Sequence, residues 1–518
     1  DAITNAVSLD GFEIPSGEVQ EDGVVLIDGS GLKSGANEFI YYDLKDYVGK
    51  KITIDFSCKM KTSNSTGVNL MWQILDGNSY PIVASNNSVK TDWITVEGSK
   101  EVRVAEGYLF YLSTYQLDFS NLKIWLKDIN FKISVPTKVQ NPEDEWMVAP
   151  SLKEAYEGKL DYIGMSVQWN DWLMNRQELG DSKVQAGLKR HFNSITMGNE
   201  MKPDGFLGSW STPTSFEKFT ASNGKEIDVP KNKLNFSTVD NCLAACKNID
   251  AKMRGHVLVW HSQTPNWFFN SNYSSNGSLV DEATMTARQE WYIKSVLEHI
   301  KDWEDKNNNG ERIIYCWDVV NEAADDSGTQ LRSASNWYKI YNDDEFIVNA
   351  FRFANKYAPK DVLLAYNDYQ EYNPSKRDMI LKIIKSVQSH ENDSNLPTRI
   401  DVLGMQSHNK YGNPTMSNYE DTIKMYLATG LDVHITELDI GAMTTADAKD
   451  AQKLKKEYYD SFKLYLKYAK KGSEPGVTSV TIWGLIDGST WLNTDSQQPW
   501  LNNVYQYPLL FDDDYYAK

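Results

Sequence analysis

The chain has 518 residues, too many for one hydrophobic core, so two or more domains are expected, one of them large enough to be a barrel. Its 41% hydrophobic and 24% charged residues suit a globular protein, and a formal net charge of −18 argues against nucleic acid or anionic membrane as a partner, since both need a positive surface. No run of about 18 apolar residues is present to cross a bilayer. Sixteen Trp and 29 Tyr supply flat amphipathic rings that suit a core or the faces of sugars; composition does not choose between them. Four cysteines make no disulfide framework. Cys242 and Cys246, four apart in a predicted helix, have no His or Cys neighbours in sequence and read as buried thiols.

Residues 1–135 read as all-β. In "KITIDFSCKM", Ile52, Ile54, Phe56, Cys58 and Met60 share one face. "VNLMWQIL", "DWITVEG", "GYLFYLSTY" and "NLKIWLKDINFKI" follow with turn residues between them, which predicts a β-sandwich of jelly-roll type. The polar, Pro-containing stretch 136–147 has no apolar period and reads as a linker. From residue 148 to 518, strand-like apolar runs alternate with longer amphipathic segments. The runs begin at Tyr162, Ser194, Met253, Tyr315, Val362, Val402, Val433 and Val480. Eight such runs with helical crossovers predict a (β/α)8 barrel. A doubly wound open sheet is the alternative from pattern alone, weakened by the lack of a glycine-rich phosphate loop.

Each run is apolar in its middle and polar at its C-terminal end. Asn199 and Lys202 follow the second run. His256, Trp260 and His261 lie on and after the third. Asn321 and Glu322 end the fourth, in "CWDVVNEA", and Asn367 and Asp368 end the fifth. Gln406 and His408 follow the sixth, Glu437 and Asp439 lie in the seventh, and Trp483 and Trp491 follow the eighth. In a barrel these ends converge on one face, where active sites form. Singly, each residue has a plain structural use; together at one rim they point to a site. Glu322 and Glu437 are a carboxylate pair of the kind glycoside hydrolysis needs, one as acid and base, one as nucleophile or activator of water. Metal binding is less convincing, because no HExxH or Asp-x-Asp pattern stands at a strand end.

These segments resemble glycoside hydrolase family 10, the endo-β-1,4-xylanases. "FNSITMGNEMKPD", "GHVLVWHSQTPNWF", "WDVVNEA", "YNDY", "GMQSH", "HITELDI" and "WGLIDGSTWL" fall in the family's order across most of residues 148–513. The resemblance implies that Glu322 is the acid/base and Glu437 the nucleophile of a retaining enzyme. Their carboxyl groups would then stand about 5–5.5 Å apart. It also implies that His408 hydrogen-bonds Glu437 with Asp439 behind it, that Asp368 supports the site, and that Asn321 binds a 2-hydroxyl. Asn199, Lys202, His256, Trp260, His261 and Gln406 would hold sugars, and Trp483 and Trp491 would wall the site. No cofactor is implied for catalysis. A monomeric, secreted or cell-surface enzyme acting on xylan and xylo-oligosaccharides is expected. A β-1,4-glucanase on the same scaffold and a catalytically silent polysaccharide-binding protein are the alternatives.

Two departures stand out. The family usually has Glu-Asn where this chain has Gly198–Asn199, which implies weaker or altered binding one sugar upstream of the cleaved one. "DGSTW" lacks the family's usual Lys and aromatic before Ser-Trp, which alters the rim near Trp491. The segment "GFLGSWSTPTSFEKFTASNGKEIDVPKNK" is longer than usual and either arches over the cleft edge or lies idle on the surface. The front domain is similar to xylan-binding modules of carbohydrate-binding family 22. That likeness implies a structural Ca2+ held by Glu13 and Asp128. Trp125, between Lys123 and Lys127 on a polar face, is a candidate sugar platform; Trp72 and Tyr111 are weaker candidates.

Overall fold

A computed structural model describes residues 9, 11–29, 39–77, 79–113, 121–135 and 140–518, and the chain divides into two compact units, Asp1–Gln140 with Trp172–Asn175, and Asn141–Asp171 with Arg176–Lys518. Among the described residues the front unit has ten strands: β1 (Phe12–Glu13), β2 (Gly17–Val19), β3 (Val25–Asp28), β4 (Tyr41–Asp43), β5 (Lys51–Thr62), β6 (Val68–Leu75), β7 (Ile82–Val89), β8 (Ile94–Arg103), β9 (Leu109–Ser113) and β10 (Lys123–Ser134). They form two five-stranded antiparallel sheets, ordered β1-β4-β9-β6-β7 and β2-β3-β10-β5-β8. The alternation in β5 turns Ile52, Ile54, Phe56, Cys58 and Met60 into a core shared with Leu70, Trp72, Ile74, Phe110, Leu112, Ile124 and Leu126 of the other strands. A bulge between Lys127 and Asn130 interrupts the pairing of β10 with β5.

This packing corrects two expectations. Trp72 is fully buried, with its ring 4.5 Å from Phe56 and 5.3 Å from Phe110, so it is core and not a sugar platform. Tyr111 is 6% exposed on β9 and presents no open ring face. Glu13, on one sheet, accepts the hydroxyl hydrogen of Tyr41, and Asp128, on the other, pairs with Lys59 at 2.8 Å. Among the described residues no group of three or more His, Cys, Asp or Glu side chains is placed to hold a metal.

The second unit is a closed parallel barrel. Its strands are Tyr162–Val167, Ser194–Met197, Lys252–Trp260, Ile314–Asn321, Leu363–Asp368, Val402–Met405, Asp432–Gly441 and Val477–Ile482, referred to below as the first to eighth. Each pairs with its neighbours in chain order, the sixth with the seventh, and the first closes on the eighth. The strands are almost wholly buried because outer helices and the barrel interior cover both faces, which is why they read as continuous apolar runs. Residues His408–Lys410 extend the sixth strand alongside Asp439–Gly441. Among the described residues no helix is long and apolar enough to cross a membrane.

Two further expectations change. Residues 136–139 lie outside the described residues and Gln140 goes with the front unit, but residues 141–147 of the stretch read as a linker belong to the barrel unit. Trp146 is 4% exposed, its ring centre lies 4.2 Å from that of Tyr515, and its backbone N–H donates to the Tyr515 carbonyl. The long segment after the second strand also does not lie idle. Phe216–Thr220 and Glu226–Pro230 form a hairpin, and Ser222 at its turn donates to buried Glu290 of the outer helix Glu282–Asn307.

Trp146 packs over Gly187 in the helix Ser182–His191, where an added Cβ would lie 2.3 Å from the indole. Helix propensity alone favours Gly187→Ala by about 1 kcal/mol. We predict the opposite sign, a loss of about 1–3 kcal/mol from overpacking, measured by urea or thermal unfolding. A stabilised variant would show that Trp146 does not hold this position.

Candidate active site

The site is built on a buried polar floor. Arg254 of the third strand donates through Nε and Nη2 to Asp318 of the fourth, at 3.0 and 2.5 Å, and both are 1% exposed. Arg254 Nη1 also donates to Nδ1 of His434, 2.7 Å away; burial, then the Arg254 charge, holds His434 neutral. Burial alone would raise Asp318. The Arg254 charge and a hydrogen bond from His256 outweigh it and bring Asp318 down to about 2. His256 Nδ1 donates to Asp318 Oδ2 at 2.9 Å, and its Nε2 stands 3.9 Å from Glu437 Oε1. The floor thus fixes the imidazole directly beneath Glu437.

Glu437 is 5% exposed and has partners on both oxygens. His408 Nε2 donates to Oε2 at 3.1 Å, and Asn367 Nδ2 donates to Oε1 at 3.0 Å. Asn367 is oriented by Thr436, whose hydroxyl donates to its Oδ1 at 2.6 Å. Burial pushes Glu437 up, but the His408 hydrogen bond and the electrostatics of His256 and His408 prevail and hold it below the usual glutamate range. His408 Nδ1 donates to Asp439 Oδ1 at 2.9 Å. Burial lowers His408; Asp439, then Glu437, override this and raise it to about 10. Trp491 Nε1 fixes the other Asp439 oxygen at 2.8 Å.

Glu322 lies one residue past the fourth strand, at the rim, with a 14% exposed side chain. Trp260 Nε1 donates to Oε2 at 2.8 Å and Gln406 Nε2 to Oε1 at 2.9 Å. The same Gln406 amide donates to Asn321 Oδ1 at 3.1 Å, and Asn367 Nδ2 donates to that oxygen at 3.0 Å. Three side-chain amides, Gln406, Asn321 and Asn367, therefore connect Glu322 to Glu437. His261 Nδ1 lies 3.9 Å from Glu322; burial lowers this imidazole to about 4 against the pull of Glu322, so it is neutral near pH 7.

Glu322 has φ 56°, an uncommon backbone conformation for a glutamate, and its turn is clamped. Its N–H donates to the Asn367 carbonyl, Arg332 donates to its carbonyl and to that of Ala324, and the Tyr366 hydroxyl accepts from Ala323 N–H. Tyr366 donates in turn to Asp368, which is fully buried and pairs with Lys376 at 3.1 Å. Asp368 is thus two steps from Glu322 and acts on its backbone.

Lys202 is 8% exposed, donates to Asn199 Oδ1 at 3.1 Å and lies 4.9 Å from the Trp260 ring centre. Burial lowers its pKa, opposed by Glu437 and Glu322. Trp483 meets the rings of His256 and His408 edge-on. The structure thus brings the sequence-predicted barrel residues to one rim or within two steps of it, Asp368 being the farthest. Sequence reading missed Arg254, Asp318 and His434, mid-strand residues whose only signal was being charged or polar within apolar runs. It also missed Gln168 and Glu371. Glu371, fully buried and raised to about 7 by burial, accepts from Ser407 N–H at 3.1 Å, between Gln406 and His408.

At Gly198, a built Cβ would lie 3.3 Å from Cγ of Gln168, whose Oε1 accepts from Asn199 Nδ2 at 2.9 Å. The Gln168 side chain therefore occupies the space beside the glycine. Glu200 does not supply the missing carboxylate to the cleft, because it accepts from the backbone N–H groups of Trp169 and Asn199. Cys242 and Cys246 are buried thiols whose pKa values burial pushes up.

A sequence profile of glycosyl hydrolase family 10 matches residues 151–518. The chain belongs to that family. Endo-1,4-beta-xylanase B of Butyrivibrio fibrisolvens is 36% identical over 363 residues, 70% of this chain and 50% of that protein. An endo-1,4-beta-xylanase A of Caldicellulosiruptor sp. is 30% identical over 93% of this chain and 63% of its own length. The chain spans 50% of the first curated relative and 30% of two others, from Acetivibrio thermocellus and Ruminococcus flavefaciens. Among solved structures, the CBM22-1–GH10 modules of Clostridium thermocellum xylanase 10B, complexed with xylohexaose, are 26% identical with a TM-score of 0.58. That likeness covers 96% of this chain and 89% of theirs, and it agrees with the family 22 resemblance of the front unit. A Caldicellulosiruptor owensensis endo-1,4-beta-xylanase is 31% identical, with a TM-score of 0.54 over 71% of this chain and 97% of its own.

His408 carries its charge until pH approaches about 10, above its ordinary 6.5. A raised histidine contributes stability that is fully present below about pH 6.5 and lost as pH rises through about 10. Asp439→Asn removes the main cause of the shift. We predict that the His408 imidazole in Asp439→Asn titrates at least about one pH unit lower than in the native chain, followed by NMR of the ring. An unmoved titration would show that Asp439 does not raise His408.

Proposed function

We propose that the protein is a retaining endo-1,4-β-xylanase that cleaves internal β-1,4 bonds of xylan through a covalent glycosyl-enzyme. Family membership and the xylanase relatives support the substrate class. The observation that carries the mechanism is the contrast between the carboxylates. Glu437 is buried and held ionised by imidazolium His408 and Asn367, whereas Glu322 reaches the open rim.

In the first displacement the protonated Glu322 gives its proton to the leaving glycosidic oxygen while a Glu437 oxygen attacks the anomeric carbon. The Glu437 ester forms as the glycosidic bond breaks. In the second, the Glu322 carboxylate takes a proton from water, whose oxygen displaces Glu437 and frees it as a carboxylate. Configuration is inverted twice and so retained. No metal or organic cofactor takes part.

Asn321 Oδ1 accepts from Gln406 and Asn367, which leaves its amide hydrogens for the 2-hydroxyl beside Glu437. Lys202, Asn199 and His256 hold the glycone side, Trp260, Gln406 and His261 flank the acid/base, and Trp483 and Trp491 wall the cleaved residue. On this reading the protein acts outside the cell as a monomer. Gln168 replaces a charged acceptor with a neutral amide one sugar upstream, which weakens that contact without altering the chemistry.

Glu437→Ala is expected to lower kcat on xylan by about 10⁴-fold or more, and Glu322→Ala by about 10²–10⁴-fold, each with an unchanged unfolding midpoint. Carboxymethyl-cellulose assayed in parallel separates a glucanase, and full activity in Glu437→Ala would refute the assignment. A second prediction concerns Gly198. Gly198→Glu alone crowds Gln168, whose Cγ would stand 3.3 Å from the new Cβ, whereas combining it with Gln168→Ser removes that contact. The double variant should lower KM for xylotriose about tenfold relative to Gln168→Ser, one charge-assisted hydrogen bond, at similar kcat. Equal KM values would remove Gln168 and Gly198 from the glycone contact.

A further inference from the structure

The outward face of the sheet β2-β3-β10-β5-β8 carries an aromatic and basic row that the barrel chemistry does not use. Trp125 on β10 is in register with Lys61 on β5, and Met60 with Ile94 on β8, so Trp93, just before β8, continues the row. The Lys61 ammonium lies 5.0 Å from the Trp93 ring centre and 5.2 Å from that of Trp125. Lys127 Nζ lies 4.3 Å from the Trp93 ring centre. Both indoles are half-buried, with their bodies packed on the sheet and their remaining surface open. Trp93 and Trp125 stand two strands apart, roughly 10 Å at the usual strand spacing, which is about two linked pyranose rings.

The lysines of this face fall into two classes. Lys59 and Lys123 are matched by carboxylates, Asp128 at 2.8 Å and Asp28 at 3.6 Å. Among the described residues Lys61 and Lys127 form no ion pair, although the chain carries 71 Asp and Glu against 53 Lys and Arg. Two ammonium groups close to one indole repel each other, and an exposed cation–π contact returns only about 0.5–1 kcal/mol. A carboxylate arriving between them would be drawn to both. A neutral chain would leave that charge unanswered, and a nucleic acid would be repelled by the net charge of −18.

We propose that Trp93, Trp125, Lys61 and Lys127 form a binding site for a β-1,4-linked polysaccharide bearing uronic-acid substituents, with the indoles on the sugar faces and the lysines on the carboxylate. The proposal rests on the xylan reading of the barrel. Under it, the front unit favours acid-decorated chains.

The test uses the whole chain carrying Glu437→Ala, so that binding is read without hydrolysis. Binding to glucuronoxylan is compared with binding to the same polymer after reduction of its carboxyl groups. We expect about tenfold tighter binding to the acidic polymer at low salt, the sum of two surface ion pairs. Lys61→Gln with Lys127→Gln should abolish that preference, and Trp125→Ala should weaken binding to both polymers. Equal binding of the two polymers, a preference untouched by the lysine variants, or equally strong retention of single-stranded DNA would each overturn the proposal. Hydrolysis of xylotetraose by the lysine variants in the otherwise native chain is expected at the native rate. Loss of that activity in the native chain itself would instead refute the xylanase reading, leaving the binding comparison to stand separately.

Discussion

A carboxylate buried to 5% exposure must be met by donors or it takes up a proton, and the barrel is arranged around meeting Glu437. His408 and Asn367 satisfy one oxygen each, and both donors are themselves fixed, by Asp439 and by Thr436. Below them the Arg254–Asp318 pair orients His256 toward the same carboxylate. Breaking such a buried pair from one side costs about 3–5 kcal/mol, since the partner charge is stranded. Donors and acceptors therefore alternate through the floor: Arg254, Asp318, His256, Glu437, His408, Asp439. Each group is held in its working state by the next.

Glu322 is positioned by other means. Its side chain takes single hydrogen bonds from Trp260 and Gln406 and stays open to the cleft, which suits the proposed role of giving up and recovering a proton. The order lies in its backbone. A glutamate at φ 56° costs of order 1–3 kcal/mol, and bonds involving Asn367, Tyr366 and Arg332 offset it. Asp368 and Lys376, with no direct contact to Glu322, reach it through Tyr366. The amide relay Gln406–Asn321–Asn367 then links the rim carboxylate to the buried one.

The barrel was legible because its strands are buried on both faces and read as unbroken apolar runs such as "YCWDVV", with polar residues reserved for one end. The two glutamates and their neighbours stood at those ends. Arg254, Asp318 and His434 were not legible, because a charged residue in mid-strand announces neither its partner nor its depth. Trp72 was misread because alternation assigns a residue to a face without saying which face is covered. Trp146 was misread because its contact, Tyr515, lies 369 positions away in sequence. Gly198 was legible as a departure, but the side chain filling its space, Gln168, is 30 residues earlier and visible only once the first and second strands pair.

In the proposed mechanism Glu437 attacks as a preformed carboxylate and carries the sugar. Mass spectrometry after reaction with a 2-deoxy-2-fluoro-xylobioside bearing a good leaving group reads this step. A stoichiometric mass gain of one fluoroxylobiosyl group is expected, located on the peptide containing Glu437, that decays on transfer to water or an acceptor sugar. Release of the leaving group with no adduct and an inverted first product, or an adduct on Glu322, would contradict it.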